Sequence, residues 1–128
     1  MAGDMITTAG AREKIAMARE LGGMIPKISH IAVGNGGLRI DGTPKAFNPD
    51  RNGLYGEIKQ FDALWISRTN NKNTYKLVIE QADNSIDGNP ISEIGLIDTD
   101  GDLVAAQTFL AKTKDANTEF VFTLAEEI

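Results

Sequence analysis

Three acidic residues at alternate positions, Asp98, Asp100 and Asp102, come nearest in this chain to the pattern of a metal site. Carboxylate oxygens are the ligands that hard cations such as calcium take in proteins. The pattern differs from an EF-hand loop, because Gly101 comes too early and no bidentate Glu stands where such a loop has one. Since Asp-Gly is also a strong signal for a tight turn, we expect a hairpin turn here and no metal.

A second short motif, Gly34-Asn35-Gly36-Gly37, resembles the glycine-rich loops that bind phosphate groups. Such loops are followed by a Lys-Ser or Lys-Thr pair and open a helix whose amides face the ligand. Neither feature follows Gly37 in this sequence. Asn-Gly and Gly-Gly are common in tight turns, so the motif predicts a turn that ends a strand.

The chain has one histidine, His30, so any histidine-dependent mechanism has to use it. No Gly-x-Ser-x-Gly motif occurs to present a serine nucleophile, and the chain has no cysteine. We therefore expect an ordinary strand histidine, no catalytic residues and no cofactor.

Four carboxylates stand in or beside predicted strands and could in principle form the acid and base pair of a glycosidase. Acidic residues on strand faces and at turns usually keep a protein soluble, and this interpretation is favoured for Glu57, Asp62 and Glu80. Glu93 differs, because it lies between apolar residues in a strand that looks core-forming. We expect it to be partly buried, to have a structural role, and to be held by Arg12, Lys14 or backbone amides.

Three aromatic residues, Phe61, Trp65 and Tyr75, could together form a flat surface on which a sugar ring stacks. Alternate aromatic positions on a strand belong more often to the hydrophobic core, so the core interpretation is favoured.

The apolar periodicity predicts one helix, capped by Thr7 or Thr8 and ended by Gly22-Gly23, followed only by strands. No crossover helices connect the strands, which disfavours a parallel sheet. The predicted fold is α+β, with the N-terminal helix packed on an antiparallel sheet or small sandwich of about six strands. The predicted strands are residues 27–33, 54–67, 74–81, the two arms of the hairpin 91–109, and 118–124, with a long surface loop at 38–53.

Composition narrows the class of protein further. A chain of 128 residues is long enough to bury a core, and we expect a single domain over residues 1–128. The net charge of −5 disfavours nucleic acid as a partner. Residues 1–5 lack the basic and apolar regions of a signal peptide, and no apolar run is long enough to span a membrane, so we expect a soluble, non-exported product.

Four stretches share their residues and their order with one protein family. They are Ile6-Thr7-Thr8-Ala9-Gly10 at the start of the helix, residues 28–36 (ISHIAVGNG), Leu54-Tyr55-Gly56-Glu57, and residues 94–104, which overlap the motif Glu-Ile-Gly-Leu-Ile-Asp that begins at Glu93. Together they resemble the N-terminal domain of phage tail-collar and tail-fibre proteins, found in contractile-tailed phages and related bacteriocins. The positions to which this resemblance and the turn signals assign structural roles are Gly34, Gly36, Glu57, Glu93, Gly95, Asp98, Asp100 and Gly101.

The resemblance implies a virion structural protein, not an enzyme, that fixes a tail fibre or collar to the baseplate. Its implied partners are baseplate or tail proteins, a fibre shaft or partner fibre chain, and further copies of itself, commonly in a trimer. Its implied location is the phage tail, after synthesis in the bacterial host cytoplasm from a phage or prophage. The alternative is a small carbohydrate-binding β module that recognises a cell surface through Trp65, Tyr75 and the 38–53 loop.

Overall fold

A computed structural model describes residues 5–128 as one helix and eight strands in two antiparallel sheets. This arrangement confirms the predicted α+β fold with a helix packed on a sheet. Residues 1–4, most of the stretch on which the signal-peptide prediction rests, lie outside the described part. The elements are β1 (Ile6–Thr7), α1 (Ala9–Leu21), β2 (Ile28–Gly34), β3 (Glu57–Asp62), β4 (Leu64–Thr69), β5 (Lys72–Ile79), β6 (Pro90–Asp98), β7 (Leu103–Thr113) and β8 (Phe120–Glu127).

The helix begins and ends where the sequence predicts. Thr8 is the N-cap, and its hydroxyl oxygen accepts a hydrogen bond from the amide of Ala11 at 3.1 Å. The same hydroxyl donates to the carbonyl of Leu103 at 2.7 Å, which ties the helix start to β7. Gly22 ends the helix in the left-handed region at φ +78°, which glycine adopts without steric cost. Within residues 5–128, no helix combines the length and the apolar composition needed to cross a bilayer.

The larger sheet has the strand order β1-β7-β6-β2-β3, and β6 lies at its centre. The β6–β7 pair is the predicted hairpin, with Gly95 opposite Ala106. Every residue of β6 from Ile91 to Asp98 is buried, because both faces of the strand are covered. The second sheet covers one face, and Phe47 and Leu54 from the long 35–56 segment pack against the other.

The smaller sheet has the strand order β4-β5-β8 and packs on the larger one through one face only. That inner face contributes Tyr75, Leu77, Ile79 and Leu124 to the core. We call the opposite side the outer face; its exposed apolar residues are Leu64, Val78 and Val121.

The prediction of a single strand over residues 54–67 is wrong. The chain passes at Ala63 from β3, in the larger sheet, to β4, in the smaller one. The Ala63 amide donates to the carbonyl of Ser29 at 3.1 Å at this crossing point. The apolar pattern continues through the crossing because Phe61 and Ala63 both pack against the same core. Periodicity alone therefore does not show that the strand changes sheets.

Candidate functional site

The Glu93 side chain is completely buried and is bound by backbone amides only. Its Oε1 accepts a hydrogen bond from the amide of Tyr55 at 2.8 Å. Its Oε2 accepts from the amides of Gly36 at 2.8 Å and Gly56 at 2.7 Å. The predicted structural role agrees with this geometry, and backbone amides, not Arg12 or Lys14, are its partners. We call Glu93 and these three amides the Glu93 site.

Glycines around the Glu93 site allow its close packing. A Cβ atom on Gly34 would lie 2.6 Å from Glu93 Oε2 and 2.7 Å from the carbonyl oxygen of Gly56. A Cβ atom on Gly37 would lie 2.2 Å from the carbonyl oxygen of Ser92. The Gly34–Gly37 motif therefore does surround an anion, but the anion is the carboxylate of this chain. Strand β2 ends at Gly34, as predicted, but the chain then bends at Asn35 and forms no tight turn there.

The three aspartates of the β6–β7 turn surround the ammonium group of Lys14. Lys14 Nζ lies 2.7 Å from Asp98 Oδ2, 3.1 Å from Asp100 Oδ2 and 2.7 Å from Asp102 Oδ2. One oxygen from each carboxylate falls within 4.8 Å of the others, so the grouping is that of a possible cation site. In this structure the cation between them is the lysine of α1, and we call these four residues the Lys14 cluster.

Backbone geometry at the same turn confirms the Asp-Gly signal. Gly101 has φ +86°, and its amide donates to the carbonyl of Asp98 at 2.9 Å. Asp98 Oδ1 accepts from the amides of Asp100 and Asp102, both at 3.0 Å. Asp98 therefore uses one carboxylate oxygen to close the turn and the other to bind the helix.

The charges of the Lys14 cluster stabilise one another. Burial acts to lower the pKa of Lys14, but its hydrogen bonds with Asp102, Asp98 and Asp100 outweigh that effect and raise the pKa above its ordinary value. Hydrogen bonds from Lys14 and Asn52 lower the pKa of Asp102. The cluster thus joins α1 to the hairpin turn through three ion pairs.

His30 stands on the surface of β2 and β3, with its side chain 42% exposed. Ser29 Oγ is 2.8 Å from its Nδ1, and Asp62 Oδ1 is 3.4 Å from its Nε2. The residue types are those of a hydrolytic triad. However, Ser29 is adjacent in sequence, Asp62 is almost fully exposed, and none of the three lines a described cleft. The expected strand position of His30 is confirmed.

A buried ion pair that the sequence did not reveal lies at the far end of β7. Lys114 is fully buried, and its Nζ is 3.0 Å from Asp87 Oδ1. It also donates to the carbonyls of Gln81 at 3.2 Å and Asp115 at 3.3 Å. Lys114 therefore connects the 80–89 loop to the end of β7. Its position in the polar run Lys-Thr-Lys-Asp gave no signal of burial.

A cleft of about 940 Å³ lies between α1, residues 25–28 and the inner side of the smaller sheet. Its size is typical of ligand sites. Apolar contributions come from Ile15, Ile25, Ile28 and Val104, and aromatic ones from Trp65 and Tyr75. We call this space the cleft.

Trp65 is at the edge of the cleft and is 56% exposed, so the prediction that it belongs to the core is wrong. Its register partner Tyr75 is 7% exposed, and for Tyr75 that prediction is confirmed. The difference arises because β4 is an edge strand with no neighbour beyond it. The indole Nε1 donates to Asn73 Oδ1 at 3.2 Å.

The structure brings together some of the predicted positions and separates others. Gly34 and Gly36 meet Glu93, while Asp98, Asp100 and Gly101 form the hairpin turn beside Lys14. Gly95 is in β6, where a Cβ atom would lie 2.6 Å from Leu103 Cδ1. Glu57 joins neither group; it is exposed on β3, with Gln60 Nε2 at 3.3 Å.

Comparison with known protein families and with curated proteins found no match to this chain. The resemblance to tail-collar and tail-fibre proteins therefore stays a prediction made from the sequence.

Proposed function

We propose that this chain is a structural component of a phage tail, an attachment domain that joins a tail fibre or collar to the baseplate as a homo-oligomer, most simply a trimer. The sequence resemblance supports this role. The observation that carries it is the outer face of the smaller sheet, which has no cover within the described chain.

Exposed antiparallel sheet faces normally carry polar side chains. On the outer face, however, Leu64, Val78 and Val121 are 59%, 41% and 51% exposed. Val78 and Val121 are direct register partners, so their side chains form one apolar patch. Lys76 and Thr123 pair beside them and give that patch a polar border. An apolar centre with a polar rim is typical of a protein–protein interface.

The polar groups inside the domain support a scaffold role. Among residues 5–128, every buried side-chain nitrogen or oxygen has a hydrogen-bond partner. Glu93 and Lys114, the two most deeply buried charged residues, are held by groups of the same chain. Such internally satisfied polar networks favour one rigid structure. A rigid attachment domain can transmit force between a fibre and a baseplate.

The test is the composition of purified phage particles. Prophage induction in the source strain, followed by density-gradient purification and mass spectrometry, should find peptides of this chain in intact particles at a constant ratio to other tail proteins. Isolated heads, separated from tails, are the control and should lack them. A chain that stays in the soluble lysate while complete particles form would overturn the proposal.

The exposed Trp65 ring favours one second candidate, a carbohydrate-binding module. An uncovered indole at the edge of a cleft can stack on a sugar ring. A glycan array on which wild-type protein binds a defined sugar, and on which Trp65→Ala does not, would support this candidate. An array without signal for the wild type would remove it.

A further inference from the structure

The cleft has two walls of opposite charge. The sheet wall carries Glu126 and Glu127 from β8, and the opposite wall carries Arg12 from α1 and Lys27 from the 25–28 segment. Asp98 and Lys14 also border the cleft, but they already pair with each other. Glu126, Arg12 and Lys27 form no ion pair with any residue in the 5–128 range. Within the described part of the chain, the cleft thus holds charges without counterions.

Glu126 lies beside the aromatic edge of the cleft. It is the register partner of Asn73 on β5, and the side chains of register partners project from the same face a few ångströms apart. Asn73 in turn accepts the hydrogen bond from the Trp65 indole. An indole ring and a carboxylate therefore lie on either side of a single amide, which is the environment that a guanidinium or ammonium group favours.

The surroundings of Glu126 support a cationic ligand over a neutral one. Its carboxylate is half-buried, and burial raises its pKa. Burial also raises the pKa of Tyr75, and the charge of Glu126 adds to that effect. A half-buried carboxylate without a counterion costs free energy that a bound cation would recover.

The edge of β4 beside the cleft is open. All six residues of β4 are exposed, and it pairs with β5 on one side only. Beyond that pairing, its backbone makes no hydrogen bond to another backbone group in the described chain. An extended segment can therefore add along this edge and direct alternate side chains toward the cleft. A bulge between Trp65 and Ser67 bends the edge, so an added segment follows it for a few residues only.

We propose that the cleft binds a short extended segment of a partner protein that carries a basic side chain between apolar ones, with the basic group between the Trp65 ring and the Glu126 carboxylate. This inference stands on the cleft and not on the role in a phage tail. A chain that is absent from tail particles but binds such a segment would refute the proposed function alone.

Trp65 is the only tryptophan, so its fluorescence and its indole NMR signal report directly on the cleft. The probe is the peptide acetyl-Val-Leu-Arg-Leu-Val-amide, and the matched peptide has norleucine in place of arginine. We expect the arginine peptide to shift both signals and to bind about tenfold more tightly than the norleucine peptide. Glu126→Gln should remove that preference. Glu119→Gln, a change outside the cleft, should leave it intact.

Several results would overturn the proposal. The first is no shift with the arginine peptide up to about 1 mM. The second is equal binding of the two peptides, or an arginine preference that survives in Glu126→Gln. Arginine amide alone binding as tightly as the peptide would show that the site takes a free cation and not a segment. A neutral oligosaccharide that shifts the Trp65 signals where the peptide does not would assign the cleft to sugars.

Discussion

Strands β6 and β4 have opposite surroundings in the same chain. From Ile91 to Asp98, β6 is buried without interruption, whereas all six residues of β4 are exposed. Both strands are rich in apolar residues, so composition does not explain the difference. Strand β6 has neighbours on both sides and layers on both faces, while β4 has one neighbour and no buried face.

This contrast distinguishes a region that stabilises the fold from a region that is available to bind other molecules. In the region around β6, the polar groups of the Glu93 site and the Lys14 cluster have their hydrogen-bond and ion-pair partners within the same chain. The region around β4 contains exposed apolar side chains and the Glu126 carboxylate, which has no ion-pair partner among the described residues. Changes in the first region should therefore lower the free energy of unfolding, and changes in the second should alter assembly or binding.

The largest expected effect comes from Glu93→Ala. The substitution leaves the buried amides of Gly36, Tyr55 and Gly56 without an acceptor, so we expect a loss of about 4 kcal/mol in the free energy of unfolding. Urea unfolding followed by circular dichroism measures it. The control Glu119→Ala should stay within about 0.5 kcal/mol of wild type. A similarly small loss for Glu93→Ala would contradict the structural role of this site.

Lys114→Met should have the next largest effect. It leaves Asp87 without its buried counterion, and we expect a loss of about 3 kcal/mol in the same unfolding experiment. The double variant Lys114→Met with Asp87→Ala should recover part of that loss, because the unpaired carboxylate is then gone. If the double variant is no more stable than the single one, the ion pair is not what makes Lys114 important.

Lys14→Met should cost less than Lys114→Met, because the Lys14 cluster is partly open to solvent. The effect should depend on pH. The pKa of Asp102 is lower in the folded than in the unfolded chain, so its contribution is present above the ordinary aspartate pKa of 3.8 and is lost as the pH falls below it. Unfolding measured from pH 7 to pH 3 should show wild type and Lys14→Met converging in acid. A constant difference across that range would contradict the electrostatic interpretation.

Trp65→Ala should have the smallest effect on stability. The side chain is 56% exposed, so we expect a change of about 1 kcal/mol or less, against about 3 to 5 kcal/mol for a buried aromatic residue such as Phe109. Thermal unfolding of Trp65→Ala and Phe109→Ala, measured side by side, compares the two regions directly. Equal losses would remove the contrast between them.

Much of the fold followed from local signals. Thr8, Gly22 and the Asp100-Gly101 pair each specify a cap or a turn through their own geometry, and the structure has all three where they were predicted. The antiparallel hairpin followed from that turn and its apolar arms. Local chemistry of this kind is visible in the order of the residues.

The sequence did not predict the exposure or the pairing of residues whose neighbours in the fold are distant in the chain. Trp65 and Tyr75 both stand in predicted strands, and their places in the sheet order make one exposed and the other buried. Lys114 meets Asp87 across 27 residues, and Lys14 meets the aspartates across more than 80. Hydrophobic periodicity carries no information on such pairings. It indicates which face of a helix or strand is buried, but not which distant residue a side chain contacts.

The mass of the protein in solution, measured by light scattering for wild type and Val121→Lys, tests the central claim most directly. The outer face should bring copies of the chain together, so wild type at micromolar concentration should have three times the 13.8 kDa mass of one chain. Val121→Lys puts a charge in the apolar patch and should give a single-chain mass while the circular dichroism spectrum stays that of the folded chain. A wild-type mass of 13.8 kDa at every concentration, or an oligomer unchanged by Val121→Lys, would contradict the assignment of the outer face as the assembly surface.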